Sequence, residues 1–299
     1  MTSVAGGVVA QRVSYEIGGN RLLSSVSLRV ESGRVCAIVG PSGAGKSTLL
    51  KVMCGIRRPS QGRVTIAGRE LLKSTRVHDL IGYVPQDDIV HTTLRVEDVF
   101  RYSAELRLGH LSPEERLRRI DTVLALVGLA DRRNLRVRRL SGGQRKRVSI
   151  GVELITEPPV MFLDEPTSGL DPALERQLMQ TMGTLAKSGK TVVLTTHIME
   201  SMDDVDILAV VCGGYLAFAG PRAAALDFFR VGELRALFTT LSKLPASTWS
   251  DRFERIRPQL PEPGPRLPPA VEGRREEAVP ESDVDRQLSQ LRRKTGQDT

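Results

Sequence analysis

The sequence Gly-Pro-Ser-Gly-Ala-Gly-Lys-Ser-Thr at residues 40–48 matches the phosphate-loop pattern at every constrained position. An apolar stretch at residues 35–39 precedes it, and a predicted helix from Lys46 to Cys54 follows it. In this setting glycines let backbone N–H groups approach phosphate oxygens, and the helix N-terminus adds positive potential. A glycine-rich turn without a ligand does not explain so complete a match. We therefore predict a nucleotide site made of Gly40, Pro41, Ser42, Gly43, Ala44, Gly45, Lys46, Ser47 and Thr48.

The same site predicts a metal ion and a catalytic carboxylate. Lys46 is expected to reach the β- and γ-phosphates, and Ser47 to ligate Mg²⁺. Asp164 ends the apolar stretch at residues 160–163 and offers a carboxylate ligand for the ion. Because adjacent side chains on a strand point in opposite directions, we expect Glu165 to face the attacking water instead. Without a phosphate loop, an acidic pair at a strand end would not indicate a catalytic site. The phosphate loop in the same chain is what favours the roles given to Asp164 and Glu165.

The order of apolar segments predicts an α/β protein. Short strands alternate over residues 8–39 and helical patterns dominate residues 93–140. Alternating strands and helices return over residues 160–196, which favours a mostly parallel sheet with a helical subdomain inserted into it. Residues 207–219 are apolar but too short to span a membrane and are interrupted by two glycines, so they predict a hairpin of two buried strands.

One inserted helix carries clear local signals. Ser112 and Glu115 match a capping box, and Pro113 suits the first turn. Its predicted apolar stripe consists of Leu117, Ile120, Leu124 and Val127.

Composition limits the partners that the chain can have. The 299 residues carry a formal net charge of +8, which suits nucleic acid, an anionic membrane surface or phosphate ligands. Aromatic residues make up only 4%, which argues against binding to single-stranded nucleic acid. The three cysteines have neither metal-ligand spacing nor the pattern of a disulfide framework. No signal peptide is expected at the N-terminus.

The last segment differs in composition from the rest. Prolines and charges dominate from Pro258 onward, which predicts a disordered tail over residues 258–299. Within it, Val284, Leu288 and Leu291 share helical spacing, so a short docking helix is the alternative.

The sequence Leu-Ser-Gly-Gly-Gln at residues 140–144 raises a separate question. Ser141 and Gln144 can form a capping box for a helix from Arg145 to Leu154. Helix capping does not explain why two glycines follow Ser141, since each glycine inside a helix lowers its stability by about 1 kcal/mol. A helix N-terminus with bare amides is a second anion site. Two copies arranged head to tail would use it, because Ser141 of one copy could cover the γ-phosphate of ATP held by Lys46 of the other.

These motifs together resemble the nucleotide-binding domain of ABC ATPases over roughly residues 8–230. The resemblance implies that Ser141, Gly142, Gly143 and Gln144 form the signature loop and act in trans. It implies a D-loop that contains Asp171, a γ-phosphate-sensing histidine at His197, and a Q-loop glutamine at Gln86 that contacts Mg²⁺ and the water. His197 would act as a neutral imidazole. The implied catalytic residues are Lys46, Gln86, Glu165 and His197.

The implied fold is a P-loop NTPase core with a mostly parallel sheet, an N-terminal antiparallel β subdomain and an inserted helical signature subdomain. The expected domains are an ABC ATPase domain over residues 1–230, with the helical subdomain at about 87–155, and a C-terminal helical extension over 231–257. The tail follows at 258–299.

Finer similarity points to the eye-pigment-precursor branch of exporters, on the segments Tyr-Val-Pro-Gln-Asp-Asp at 83–88 and Gln-Arg-Lys-Arg-Val-Ser-Ile-Gly at 144–151. That branch implies an ABC-2-type transmembrane subunit or domain, with this chain peripheral on the cytoplasmic side of the membrane. It also implies a homodimer, or a heterodimer with a second ABC domain, that encloses two ATP molecules. The basic residues that flank the signature loop are expected to form a mostly solvated face near the membrane: Arg132, Arg133, Arg136, Arg138, Arg139, Arg145, Lys146 and Arg147.

Two points remain open from sequence. The resemblance implies an adenine-stacking residue near the first strand, where Ile17 holds the position and Tyr15 lies two residues earlier on the same face. The alternative function is an ABC ATPase that acts on nucleic acid or ribosomes, although such relatives usually carry two ATPase domains or a long coiled coil, and no nucleic-acid partner is expected here. A phosphate-loop kinase offers no role for residues 140–144.

Overall fold

The computed structural model describes residues 7–71, 78–87, 89–197 and 202–259. The strands found within these residues are β1 (Val8–Ile17), β2 (Asn20–Val30), β3 (Val35–Val39), β4 (Gln61–Ile66), β5 (Arg69–Glu70), β6 (Ile81–Val84), β7 (Val160–Leu163), β8 (Thr191–Thr195), β9 (Ile207–Cys212) and β10 (Tyr215–Gly220).

The helices in the same residues are α1 (Lys46–Met53), α2 (Val96–Arg107), α3 (Pro113–Leu126), α4 (Gly142–Leu154), α5 (Pro172–Lys187), α6 (Arg222–Phe229), α7 (Ala236–Leu241) and α8 (Ala246–Ile256).

The central sheet has the order β10-β9-β3-β8-β7-β6 among the described strands. Strands β9, β3, β8, β7 and β6 pair in parallel. Strands β3, β7 and β8 are buried along their whole length, as expected for apolar parallel strands covered on both faces. Their carboxyl ends lie at one edge of the sheet. The phosphate loop, the acidic pair and His197 all follow these ends and therefore meet there.

A second sheet, with the order β2-β1-β4-β5, is antiparallel. Strand β2 begins at Asn20, earlier than the apolar residues 26–30 that suggested it, because Gly18 and Gly19 adopt φ of +56° and +78° and form a tight hairpin turn with β1. The expected α/β class, with a mostly parallel sheet and an N-terminal antiparallel β subdomain, is therefore confirmed.

Helices α2, α3 and α4 lie between β6 and β7 in the chain. The predicted capping box of α3 is confirmed, with both hydrogen bonds between Ser112 and Glu115 present. Leu117, assigned to the apolar stripe of this helix, is 50% exposed and does not belong to the buried face. The segment from Val127 to Leu140 is not a helix. It contains only two short 3₁₀ turns, at Ala130–Arg132 and Val137–Arg139.

The predicted hairpin at residues 207–219 is confirmed, because β9 and β10 pair in antiparallel fashion around Gly213 and Gly214. Helices α6 and α8 pack on β10 through the rings of Phe218, Phe228 and Phe229, with Trp249 and Phe253 from α8. The proposed domain boundaries stay predictions, and residues 260–299, which hold most of the predicted tail, lie outside the described residues. In the part of the chain that is described, no helix is both long and apolar enough to cross a bilayer.

Candidate functional site

The phosphate loop joins β3 to α1 and requires glycine for steric reasons. A Cβ atom at Gly40 would lie 2.0 Å from the carbonyl oxygen of Val211 on the neighbouring strand β9. At Gly45, which adopts φ of +104°, a Cβ atom would lie 3.0 Å from the carbonyl oxygen of Leu22. Side chains at these positions would displace the loop from the sheet edge. The glycine pattern is therefore needed for the loop geometry as well as for close approach to a phosphate.

A cavity of about 430 Å³ lies over this loop. Its lining consists of residues 42–48, Glu165, and four residues from neighbouring turns and strands: Arg21, Leu22, Gly213 and Gly214. Neither candidate for the adenine contact lines it. The guanidinium of Arg57 lies 5.3 Å from the centre of the Tyr15 ring, and Ile17 is 54% exposed. The adenine contact therefore stays a prediction.

Lys46 is held at the base of this cavity. Its Nζ donates hydrogen bonds to the carbonyl oxygens of Gly40 and Pro41, each at 3.0 Å. Burial lowers the pKa of the ammonium, while the nearby carboxylates of Glu165 and Asp164 act in the opposite direction. The two hydrogen bonds hold the Lys46 side chain beside the loop that is predicted to bind phosphates.

Asp164 is the most constrained acid of the site. Its side chain is almost fully buried, and Oδ1 accepts hydrogen bonds from Ser47 Oγ and Thr195 Oγ1, both at 2.8 Å. Lys51 Nζ lies 3.4 Å from Oδ2. The carboxylate and the Ser47 hydroxyl are hard oxygen donors that already lie in contact next to the phosphate loop, which is the donor chemistry that Mg²⁺ prefers. The residues present therefore fit the predicted ion.

Glu165 departs from the simple strand geometry expected of it. Strand β7 ends at Leu163, and Glu165 adopts a left-handed backbone with φ of +46°. The expected alternation along a strand is therefore the wrong reason for the different directions of the two acids. Asp164 N–H still donates to Val84 on β6, whereas Glu165 N–H donates to the side chain of Thr195. The change in backbone direction at Glu165 therefore gives the two acids different partners.

The predicted Q-loop glutamine and histidine meet at the carboxylate of Glu165. Gln86 Nε2 donates to Glu165 Oε2 at 3.5 Å, and His197 Nδ1 lies 3.7 Å from the same oxygen. These residues come from the ends of β6, β7 and β8, so the parallel sheet brings them together. The arrangement places a carboxylate and two polar side chains together beside the phosphate cavity.

The signature segment begins helix α4 at Gly142, three residues earlier than expected. Both halves of the capping box are present, with Ser141 Oγ accepting from Gln144 N–H and Gln144 Oε1 accepting from Ser141 N–H. The two glycines differ. A Cβ atom at Gly143 would lie 3.0 Å from Leu174 Cδ1 of α5, whereas one at Gly142 would meet none of the described residues within 4 Å. Leu174 therefore limits the space for a side chain at Gly143, and the expectation that both glycines serve an approaching ligand stays a prediction.

Asp171 has a structural task that the D-loop prediction did not include. Its Oδ1 accepts hydrogen bonds from Ala173 N–H and Leu174 N–H, both at 3.0 Å, so it is the N-cap of α5. Leu170 and Leu174 lie against the glycine side of α4. The predicted D-loop and the predicted signature loop are therefore packed together within one chain.

Sequence reasoning missed the role of Lys146, which was placed on a solvated basic face. The residue is only 5% exposed, and its Nζ donates to the carbonyl oxygens of Pro85 at 3.3 Å and Gln86 at 2.7 Å. The signal was available in the periodicity, because Gly143, Lys146 and Ile150 follow the spacing of the buried face of α4. A buried ammonium thus ties the signature helix to the Q-loop.

Comparison with known proteins agrees with this geometry. The sequence profile of the ABC transporter family matches residues 23–168, from β2 through the phosphate loop and signature segment to the residues after Glu165. The chain carries the ATP-binding domain of the ABC transporter family. The ABC domain is 38% identical over 262 residues to an ABC transporter ATP-binding/permease protein of Mycobacterium tuberculosis, a match that covers 86% of this chain and 30% of that protein.

Two further proteins are similar to this chain, one in sequence and one in structure. A daunorubicin resistance ATP-binding protein of Streptomyces coeruleorubidus is 38% identical over 207 residues, covering 68% of this chain and 64% of that protein. A dimeric ATP-binding cassette, solved in a post-hydrolysis state with ADP and Pi, superposes with a TM-score of 0.64 at 28% identity, covering 72% of this chain and 98% of that one. The chain thus spans less than two thirds of the length of the Mycobacterium and Streptomyces relatives. Nothing in the comparisons favours the nucleic-acid alternative.

Proposed function

We propose that the chain binds and hydrolyses ATP for an ABC-2-type exporter, with ATP holding two such domains together and hydrolysis releasing them. The observation that carries the proposal is that the phosphate cavity of one chain is not lined by the N-terminus of its own helix α4. Among the described residues, none from 140–144 lines the phosphate cavity. Ser141 and Gly142 are nevertheless exposed at a helix N-terminus. A second copy can supply the signature loop that the cavity lacks, because head-to-tail pairing brings each exposed N-terminus over the other copy's phosphates.

Each part of the proposed reaction is assigned to particular residues of the site. Backbone amides of the phosphate loop and Lys46 bind the phosphates, and Ser47 and Asp164 would hold Mg²⁺. When bound, the ion neutralises charge on the phosphate oxygens. Glu165 accepts a proton from the water that attacks the γ-phosphate, and Gln86 and His197 orient that water through their positions beside the same carboxylate. Positioning and charge supply most of the rate, as in other phosphoryl transfers.

The proposed assembly is a homodimer, or a heterodimer with a second ABC domain, that encloses two ATP molecules. A structural relative was solved as a dimer with ADP and Pi, which supports this arrangement. The mycobacterial relative is named as an ATP-binding and permease protein, which supports a membrane partner. We place the ABC domain at the cytoplasmic face of the membrane, against an ABC-2-type membrane subunit or domain.

An apolar groove of about 400 Å³ is the proposed contact for this partner. It lies between β6 and α2 next to the Q-loop, and Pro85, which precedes Gln86, lines it. Ile89 and Leu106 line it with 71% and 87% of their surfaces exposed, which is unusual for large apolar side chains. An amphipathic segment of the membrane protein would bury them. Its movement would reach Glu165 through Gln86.

Leu106→Glu is expected to uncouple the membrane partner without harming the ABC domain. The side chain is almost fully exposed, so the folded chain tolerates the change, but binding would bury a carboxylate in an apolar groove. We expect the affinity of the variant for the proposed membrane subunit to fall at least about tenfold. Phosphate release by the variant alone should be unchanged. Leu117→Glu is the matched control, since Leu117 is 50% exposed on α3 and does not line the groove. Equal binding by Leu106→Glu and wild type would contradict the docking site.

The proposed reaction is tested by phosphate release from ATP by the purified chain. We expect release that requires Mg²⁺ and rises when the membrane partner is added. Absence of release under both conditions would contradict the proposed function.

A further inference from the structure

The acidic pair of the site is connected by a threonine that neither the sequence motifs nor the comparisons single out. Thr195 Oγ1 donates to Asp164 Oδ1 at 2.8 Å and accepts from Glu165 N–H at 2.8 Å. The directions of these bonds follow from the chemistry, because a carboxylate only accepts and a backbone N–H only donates. Ser47 Oγ donates to the same carboxylate oxygen. A continuous chain of hydrogen bonds therefore runs from Ser47 through Asp164 and Thr195 to the backbone of Glu165.

Thr195 occupies the position in the sheet that allows this connection. It ends β8, which lies between β3 and β7, and it pairs with Ile38 on β3. Strand β3 leads to the phosphate loop and β7 leads to the acidic pair. The side chain is fully buried, so its geometry is determined by packing and not by solvent. A β-branched residue suits a central strand, but an apolar one of the same shape would fill the space equally well.

The backbone of Glu165 explains why a hydroxyl is useful here. Residues other than glycine rarely adopt the left-handed conformation found at Glu165, and they keep it only where the surroundings impose it. The bond from Glu165 N–H to Thr195 satisfies the backbone group that this turn removes from the sheet. The same hydroxyl, together with Ser47 and Lys51, holds the Asp164 carboxylate. One side chain thus contacts both acids, through the carboxylate of Asp164 and the backbone N–H of Glu165.

We propose that Thr195 is a positioning residue that couples the metal-ligating carboxylate of Asp164 to the placement of Glu165 as the base. The assignment rests on the proposed ATP hydrolysis. It predicts a specific defect when the hydroxyl is lost. The phosphate loop remains intact, so nucleotide still binds, but Mg²⁺ binds less tightly and the base is misplaced.

Thr195→Val removes the hydroxyl while keeping the shape, and Thr195→Ser keeps both hydrogen bonds. For Thr195→Val we expect kcat to fall about 10- to 100-fold, with KM for ATP within about twofold of wild type. We also expect the Mg²⁺ concentration that half-saturates nucleotide binding, followed with a fluorescent ATP analogue, to rise about 3- to 10-fold. Affinity for the analogue in EDTA should be unchanged. Thr195→Ser should restore both properties.

Thr191→Val is the matched control, because it removes a buried hydroxyl from the opposite end of the same strand, where Thr191 Oγ1 donates to the backbone carbonyl oxygen of Glu31. Its kcat and Mg²⁺ midpoint should equal those of wild type. If Thr195→Val does not fold, Thr195→Ala carries the same expectations.

Two results would overturn the assignment. One is a wild-type kcat and Mg²⁺ midpoint in Thr195→Val. The other is a loss of nucleotide affinity in EDTA that serine does not restore, which indicates a fold defect. Wild type, measured alongside, separates the two proposals: if it releases no phosphate, the proposed function fails, whereas an active wild type matched by Thr195→Val refutes the Thr195 assignment alone.

Discussion

Glu165→Gln is expected to bind ATP with near wild-type affinity and to hydrolyse it about 100- to 1,000-fold more slowly. The substitution keeps the shape of the side chain and its proximity to Gln86 and His197, but the amide cannot accept a proton from water. Because hydrolysis is what separates the two copies, the variant should accumulate as an ATP-bound dimer. Single-turnover hydrolysis and the molar mass in the presence of MgATP measure the two effects.

Glu157→Gln is the matched control for this variant. Glu157 also has a left-handed backbone, with φ of +51°, and its side chain pairs with Arg119 instead of lining the phosphate cavity. We expect its turnover to equal that of wild type. Normal turnover in Glu165→Gln would show that Glu165 is not the base. If the variant stays monomeric with ATP bound, ATP binding does not hold two copies together.

Ser141→Ala is expected to reduce hydrolysis at least about tenfold, because it removes a donor aimed at the other copy's γ-phosphate. Binding of ATP to the isolated chain should change little, since Ser141 does not line the phosphate cavity. The substitution also removes a helix cap, which costs about 1 kcal/mol of stability. A loss of activity must therefore be separated from a loss of stability.

The chain provides the control for this second effect. Ser112 and Glu115 form the same capping box at the start of α3, with the same two hydrogen bonds as Ser141 and Gln144. Ser112→Ala should lower the melting temperature about as much as Ser141→Ala and leave turnover unchanged. Equal turnover in the two variants, or an equal loss of ATP binding and hydrolysis in Ser141→Ala, would argue against a site completed in trans.

Features whose geometry depends on one short segment could be predicted from the local sequence. The capping boxes at Ser112 and Ser141 and the hairpin around Gly213 and Gly214 depend on a few neighbouring residues, so they could be predicted. The parallel sheet followed from the alternation of apolar runs with helices. In the structure the residues after β3, β7 and β8 meet, because the carboxyl ends of parallel strands share an edge.

The features that the sequence analysis missed depend on contacts between distant segments. Lys146 carries a charge and was assigned to solvent, but the packing of α4 on the Q-loop buries it against two carbonyl groups. The left-handed backbone of Glu165 and its bond to Thr195 require the register of β7 and β8, which the strand sequences alone do not specify. Gly143 likewise reflects the approach of Leu174 from α5.

The central claim, that one ATP is bound by two copies, is tested most directly by mixing two defective variants. In a dimer of Glu165→Gln with Ser141→Ala, one composite site carries both defects, and the other joins an intact Glu165 to an intact Ser141. Random pairing makes half of the dimers mixed, so we predict an initial rate of phosphate release of about a quarter of wild type, well above that of either variant alone. A mixture that releases phosphate no faster than the average of the two separate variants would contradict the shared site.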